Sequence, residues 1–181
     1  MKSDKLSGII IVTAVTEFFI FVNIAAFLDK GYSISENSIS HLGIDSMPYI
    51  FNASIIVLGI LEIIAAAFLK KSYVAFTILY IIGGIGSIGV GIFNEHYGMI
   101  HLFFAFLAFL FPSIVSYFAL LKYKNIISME WAILGSISII ALILFASKVY
   151  LGLGNGGMER MILIPLIAWS FQFGAFLYAK N

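Results

Sequence analysis

The stretch PYIFNASIIVLGILEIIAAAFL, at Pro48–Leu69, decides the fold class, because a single charged residue, Glu62, interrupts an otherwise apolar run. A helix that crosses a bilayer needs about 20 apolar residues, at about 1.5 Å of rise each, to span a hydrocarbon core of roughly 30 Å. This stretch is long enough and apolar enough. We therefore predict a transmembrane helix here.

Further stretches of the same kind lie on both sides of it. The predicted spans are approximately Leu6–Leu28, Pro48–Leu69, Tyr73–Phe93, Gly98–Leu121, Trp131–Leu151 and Met161–Tyr178. Together they use most of the chain. The sequence therefore predicts one integral membrane domain over residues 1–181, an all-α, polytopic bundle of six transmembrane helices.

The composition excludes several classes of protein. Hydrophobic residues make up 62% of the chain and charged residues 10%, with a mean hydropathy of +1.09. An ordinary soluble domain has about 45–50% apolar residues and about 25% charged residues. The composition therefore excludes a soluble or disordered protein. The net charge of +1 gives no basic field for nucleic acid. The absence of cysteine excludes disulfides, thiolate nucleophiles and cysteine-type zinc sites.

The basic residues predict how the chain is oriented. On one side of the predicted bundle lie Lys2, Lys5, Lys70, Lys71, Lys122, Lys124 and Lys180, and on the other lie Lys30, Lys148 and Arg160. Because Lys and Arg are enriched in cytoplasmic loops, we expect a multi-pass protein of the cell membrane with both termini in the cytoplasm. Most acidic residues and all three histidines then fall at or just below the opposite face, so a functional site is expected at the extracytoplasmic face.

Candidate catalytic residues come from two segments of that face, GYSISENSISHLGID and GIFNEHYGMIH. The residues that could supply acid–base chemistry are Ser40, His41, Glu95, His96 and His101. Ser38 or Ser40 beside His41 could form a nucleophile–base pair. The alternative for the first segment, and the more frequent one, is a helix-capping or re-entrant loop.

The same segments leave a divalent metal open as a cofactor. Three histidines and a carboxylate, here His41, Glu95, His96 and His101, can bind zinc or another divalent ion. His96 and His101 are five residues apart and do not share a helical face, so His41 would have to come from the first loop. The alternative is that Asn94 or Glu95 caps the start of the fourth span.

Candidate substrate-binding residues are Arg160, Glu159, Asn52 and Glu17. Arg160 ends the glycine-rich polar segment Gly152–Arg160, where it could bind an anionic head group or form a structural ion pair between the fifth and sixth spans. Glu17 and Glu62 are carboxylates inside spans, where a charge costs several kcal/mol. Glu17 is a candidate proton relay or pocket floor, and Glu62 is left unassigned. Both could instead form interhelical hydrogen bonds worth about 1 kcal/mol.

The third span, IIGGIGSIGVGIF, carries small residues four apart at Gly83, Ser87 and Gly91. Such spacing lets helix backbones approach closely. We therefore expect this span to pack helices, including those of a second copy in a homo-oligomer.

Three blocks of the sequence resemble the domain-of-unknown-function 998 family of prokaryotic membrane proteins. They are NSISHLG followed by FNASIIVLGIL, then GIFNEHYGMIH, and then GGMERMILIPLIAW. The resemblance implies a six-helix membrane protein whose polar signature is carried by Ser40, Gly43, Asn52, Glu95, His101, Glu159 and Arg160. Two positions depart from the family, with His41 in place of an acidic residue and Asn94 in place of a proline. The family supplies an architecture and residues but no reaction.

Three functions remain open. The first is an intramembrane enzyme that acts on a lipid or isoprenoid at the extracytoplasmic face. The second is a non-catalytic ligand-binding or assembly protein of the membrane. The third is a small proton-coupled transporter that uses Glu17 and Glu62. Membrane lipids are the expected partners in all three.

Overall fold

The computed structural model describes residues 2–69 and 74–180. Within them the chain forms α1 (Lys2–Leu28), α2 (Pro48–Phe68), α3 (Val74–Ile92), α4 (Met99–Tyr123), α5 (Ile126–Ala146) and α6 (Gly154–Ala179). Short 3-10 helices occur at Ser40–Gly43 and Glu95–Tyr97. All six α-helices are long and apolar enough to cross a membrane, and the described residues include no β-strand. The predicted all-α, six-helix architecture is confirmed.

The predicted boundaries are right for α2 and shifted elsewhere. α5 is Ile126–Ala146 rather than Trp131–Leu151, because Asn125 and Ser128 form a capping box that starts the helix earlier. α6 begins at Gly154, about two turns before the predicted Met161, so most of the segment predicted as a loop is helical. The predicted start of the third span at Tyr73, and the basic pair Lys70 and Lys71, lie outside the described residues.

The helices pack as a closed ring. Each helix packs on the next one in sequence, and α6 returns to pack on α1. The loop over residues 29–47 and the turns over 93–98 and 147–153 lie at one end of the ring, which we call the polar end. Lys180 lies over the Tyr123 ring at 4.7 Å, which places the C-terminus at the other end.

Glycines allow the closest helix contacts. A Cβ on Gly84 of α3 would fall 2.7 Å from the carbonyl oxygen of Gly59 on α2, and one on Gly86 would fall 2.4 Å from the backbone of Ala108 on α4. Backbones this close leave no room for side chains. The glycine-rich span therefore packs inside the protomer as predicted, and its use in a homo-oligomer stays a prediction.

Aromatic side chains fill the half of the ring away from the polar end. Trp131, Trp169 and Phe173 are fully buried, and the Trp131 and Phe173 rings meet edge to face at 5.5 Å. Trp131 also donates a hydrogen bond to Gln172 at 3.0 Å. This half is therefore densely packed, and open space lies towards the polar end.

Candidate functional site

Glu95 connects two separate segments at the polar end. Its Oε1 accepts hydrogen bonds from the hydroxyls of Ser38 and Ser40, the latter at 2.6 Å. Its Oε2 accepts one from Nδ1 of His41 at 3.1 Å. We call these four residues the Glu95 cluster. All three donors belong to the loop over residues 29–47, so Glu95 fastens this loop to the start of α4.

The hydrogen bonds also set the charge of Glu95. Burial alone would raise its pKa, but the hydrogen bonds from Ser38, Ser40 and His41 outweigh burial and bring the pKa below its ordinary value. Glu95 is therefore ionised at neutral pH. In this state it orients its donors and is a weak proton acceptor.

Two residues of α6 fasten the same loop. Glu159 accepts a hydrogen bond from the backbone N–H of Ile39. Arg160 donates from Nη1 to the carbonyl of Ile34 at 2.7 Å and from Nη2 to the hydroxyl of Tyr32 at 2.8 Å. Among residues 2–69 and 74–180, no carboxylate lies within ion-pair distance of Arg160. The predicted ion pair between the fifth and sixth spans is not formed, and the guanidinium is engaged by the loop.

A cavity of about 580 Å³ opens behind the Glu95 cluster, between α4, α5 and α6, and we call it the vestibule. Its polar wall includes Ser40, Glu95, His101, Lys148, Asn155 and Glu159, and its apolar wall includes Leu102, Phe106, Leu142 and Phe145. The Phe106 side chain is 48% exposed. The vestibule thus joins a polar wall to an apolar cleft that is open at Phe106.

A narrower cavity of about 60 Å³ continues into the ring, and we call it the inner cavity. It shares Ser40, His101 and Glu159 with the vestibule and extends to Glu62 and Ser87. The hydroxyl of Ser87 donates a hydrogen bond to Glu62 at 3.3 Å. The predicted site residues Ser40, His101 and Glu159 therefore lie where the two cavities meet.

His101 is held in one tautomer. Its side chain is 4% exposed, and Nδ1 lies 2.8 Å from the carbonyl oxygen of Phe93. Because a carbonyl only accepts hydrogen bonds, Nδ1 carries a hydrogen, and in the neutral ring the lone pair is then on Nε2. In the part of the chain that the structure describes, Nε2 has no hydrogen-bond partner.

The predicted metal ligands are not brought together. His41 contacts Glu95, but His101 is bound to Phe93, and the His96 side chain is exposed. Within residues 2–69 and 74–180, no group of three or more His, Cys, Asp or Glu side chains could hold a metal ion. Asn94 caps the 3-10 helix through the N–H of His96 rather than α4 itself.

Two predicted substrate-binding residues lie away from both cavities. Asn52 donates a hydrogen bond to the carbonyl of Gly43 at 2.9 Å and so ties the first 3-10 helix to α2. Glu17 lies against Ser54 of α2. Neither side chain lines the vestibule or the inner cavity.

Sequence reasoning missed the contributions of Tyr32, Lys148 and Asn155. Lys148 entered only the prediction of orientation, although its position beside the turn to α6 could have placed it at the site. The role of Tyr32 depends on Arg160, more than a hundred positions later in the chain. No local pattern reports such a contact.

The comparisons with known proteins agree with the resemblance seen in the sequence. The family model described as protein of unknown function (DUF998) matches residues 12–175. No curated protein and no solved structure matches the chain. The matched range includes the Glu95 cluster, His101, Glu159 and Arg160. The chain therefore belongs to the DUF998 family of proteins of unknown function.

Proposed function

We propose that this protein is an intramembrane enzyme that binds a lipid or isoprenoid in the vestibule, at the extracytoplasmic face, and acts on its head group. The observation that carries the proposal is the amphipathic wall of the vestibule. Pockets of about 300–1,000 Å³ accommodate small molecules, and the 580 Å³ vestibule is within that range. Its polar wall suits a head group, and its apolar cleft suits a hydrocarbon chain that enters from the bilayer.

The presence of Lys148 on the vestibule wall favours a substrate with an anionic head group. It is the cationic residue on the vestibule wall, and a lysine ammonium is an effective partner for phosphate. Arg160, the residue first expected to bind the head group, is engaged by Ile34 and Tyr32 instead. We therefore propose that Lys148 binds the charged head group and that Arg160 positions the loop.

His101 is the best-placed general base. Its Nδ1–H is fixed by Phe93, and the free Nε2 belongs to a residue that lines the vestibule. An imidazole in this state can take a proton from water and return it to a leaving oxygen, as hydrolysis of an ester or phosphoester requires. Ser40 and Glu95 complete the polar wall, with Glu95 as a positioning residue because its carboxylate is already occupied.

The test compares wild type with two histidine variants in vesicles of phosphatidylethanolamine and phosphatidylglycerol that contain a polyprenyl diphosphate. Mass spectrometry would follow the three lipids. We expect wild type and His96→Ala, whose side chain is exposed away from the vestibule, to consume one lipid, and His101→Ala to lose this activity. Equal turnover by all three proteins would contradict the proposal.

The contacts of the Glu95 cluster favour a second candidate, a lipid-binding protein without catalysis. Ser38, Ser40 and His41 are all engaged in holding the loop. This candidate expects lipid to co-purify with wild type and to be lost from Phe106→Trp, which fills the cleft, with no lipid consumed by either protein.

A further inference from the structure

Glu62 is an acidic residue in the interior of the bundle that the proposed function does not use. It lies in α2, is 8% exposed, and lines the inner cavity. Its hydrogen-bond partner in the described part of the chain is the hydroxyl of Ser87. The wall of the inner cavity includes no Lys or Arg, so a charge on Glu62 is not balanced by a cation there. An unbalanced carboxylate at this depth costs several kcal/mol.

The inner cavity can connect Glu62 with water. A cavity of at least about 10–15 Å³ can hold a water molecule, so the inner cavity of about 60 Å³ has room for water. Glu62 and Ser87 offer polar partners at the deep end, and Ser40, His101 and Glu159 offer them at the vestibule end. Because buried water needs such partners, both ends of the inner cavity suit it.

The opposite side of Glu62 is closed by aromatic packing. Tyr80, Trp169 and Phe173 are at most 1% exposed. The Tyr80 and Trp169 rings lie 6.4 Å apart, and the Trp169 and Phe173 rings lie 5.8 Å apart. In the described residues, the route to Glu62 therefore runs from the polar end.

The titratable groups that face this route are few. Glu62 acts electrostatically on Tyr80 of α3. His101 of α4 and Glu159 of α6 lie at the junction with the vestibule, and α1 contributes the apolar side chains of Val15 and Phe18. A change in the protonation of Glu62 therefore changes the charge of an otherwise mostly apolar chamber.

We propose that Glu62 is a proton-binding site in the membrane interior that exchanges its proton with the polar end through water in the inner cavity. The site is independent of the proposed lipid chemistry, because neither Glu62 nor Ser87 lines the vestibule. It gives the fold a means of sensing the pH on one side of the membrane.

The experiment uses infrared spectroscopy on the full chain, labelled with ¹³C in the glutamate carboxyl groups, in vesicles of phosphatidylethanolamine and phosphatidylglycerol. We expect a labelled carboxylic acid band that weakens as the pH rises. Glu62→Gln removes this band, whereas Glu17→Gln and Glu159→Gln retain it, which separates it from any acid band of Glu159, a glutamate that is also buried. Glu62→Asp also removes the labelled band while it keeps an acid in place, which guards against a folding defect in the glutamine variant.

Transfer to heavy water tests the route. Ala105 lines both cavities, so Ala105→Trp blocks their junction and slows deuteration of the Glu62 band. Ile133→Trp places the same side chain on the exposed face of α5 and leaves the rate unchanged. A band that persists in both Glu62 variants overturns the proton site. Equal deuteration rates in wild type and Ala105→Trp overturn the route through the inner cavity.

Discussion

At Glu95, a single carboxylate holds the nineteen-residue loop over residues 29–47 to the start of α4 through three hydrogen bonds. Its lowered pKa makes the stability of the fold depend on pH. Because the folded protein holds the proton less tightly than the unfolded chain, the stabilisation is complete above the unfolded value of 4.5 and is lost as the pH falls through the lower folded value.

We therefore predict that the melting temperature of detergent-solubilised wild type falls as the pH is lowered below 4.5. Glu95→Gln is less stable at neutral pH and has a weaker dependence on pH in this window. Thermal unfolding followed by circular dichroism checks both expectations. Glu36→Gln changes an exposed acid of the same loop and should follow the wild-type profile. Parallel profiles for wild type and Glu95→Gln would contradict the prediction.

Arg160 fastens the loop by geometry as much as by charge, because its guanidinium reaches the Ile34 carbonyl and the Tyr32 hydroxyl at once. Lysine has the charge but not the planar fork. We predict that Arg160→Lys destabilises the protein by about 0.5–1.5 kcal/mol, because the hydrogen bonds to the exposed Ile34 carbonyl and the half-buried Tyr32 hydroxyl are lost. Combining Arg160→Lys with Tyr32→Phe should destabilise by less than the sum of the two single variants. Additive effects in thermal unfolding would show that the two residues act separately.

At the scale of a helix, the first turn of α6 is stabilised by hydrogen bonds to the loop that covers it. The N–H groups of Gly156 and Gly157 both donate to the carbonyl of Ser35. A Cβ on Gly156 would fall 2.0 Å from the carbonyl oxygen of Asn37, whereas one on Gly157 would fall 3.0 Å from the Cβ of Leu153. The two neighbouring glycines therefore differ sharply in what they tolerate.

We predict that Gly156→Ala pushes the loop away and costs about 1–3 kcal/mol of stability, as overpacking does. Gly157→Ala is the matched control, because it adds the same methyl group where alanine improves helix propensity by up to about 1 kcal/mol. Thermal unfolding of the two variants measures the difference. Equal losses for both would contradict the close contact at Gly156.

Helix boundaries show what a local pattern can predict. The span Pro48–Phe68 starts at a proline after a polar loop, and the sequence located it well. The start of α6 was missed because glycines are poor helix formers, and only the distant Ser35 carbonyl satisfies their N–H groups. The start of α5 had a local signal in Asn125 and Ser128, but the hydropathy of the run concealed it.

The candidate site, like the helix boundaries, was predictable only where local sequence carries the signal. The predicted spans placed Ser40, Glu95, His101 and Glu159 at the same face of the membrane. The structure brings Ser40, His101 and Glu159 to the junction of the cavities. Which side chain contacts which depends on contacts between distant segments. The four-residue metal set was inferred from residue types without that information, and the structure pairs His41 with Glu95 but holds His101 on Phe93 and leaves His96 exposed.

At the scale of the whole molecule, the cavities follow from how side-chain size is distributed around the ring. Small residues such as Ser87, Ala105 and Ala108 line the inner cavity, whereas Trp131 and Trp169 fill the opposite half. The two tryptophans fill one end of the closed ring of six helices, and the cavities lie towards the other end. The open end is also the end where the polar loop folds back, which is why the cavities have polar mouths.

The charge distribution of the whole chain predicts which side of the membrane that open end faces. Lys5, Lys122, Lys124 and Lys180 lie towards the other end, and the sequence assigns Lys2, Lys70 and Lys71 to the same side. Lys30, Lys148 and Arg160 are at the polar end. Because basic residues are retained in the cytoplasm during insertion, we predict that the polar end faces the outside.

The chain has no cysteine, so single cysteines can be introduced without removing native ones. Glu36→Cys at the polar end should react with a membrane-impermeant maleimide on intact cells, and Lys124→Cys should react only after permeabilisation. The opposite labelling pattern would place the vestibule in the cytoplasm and would rule out an extracytoplasmic substrate.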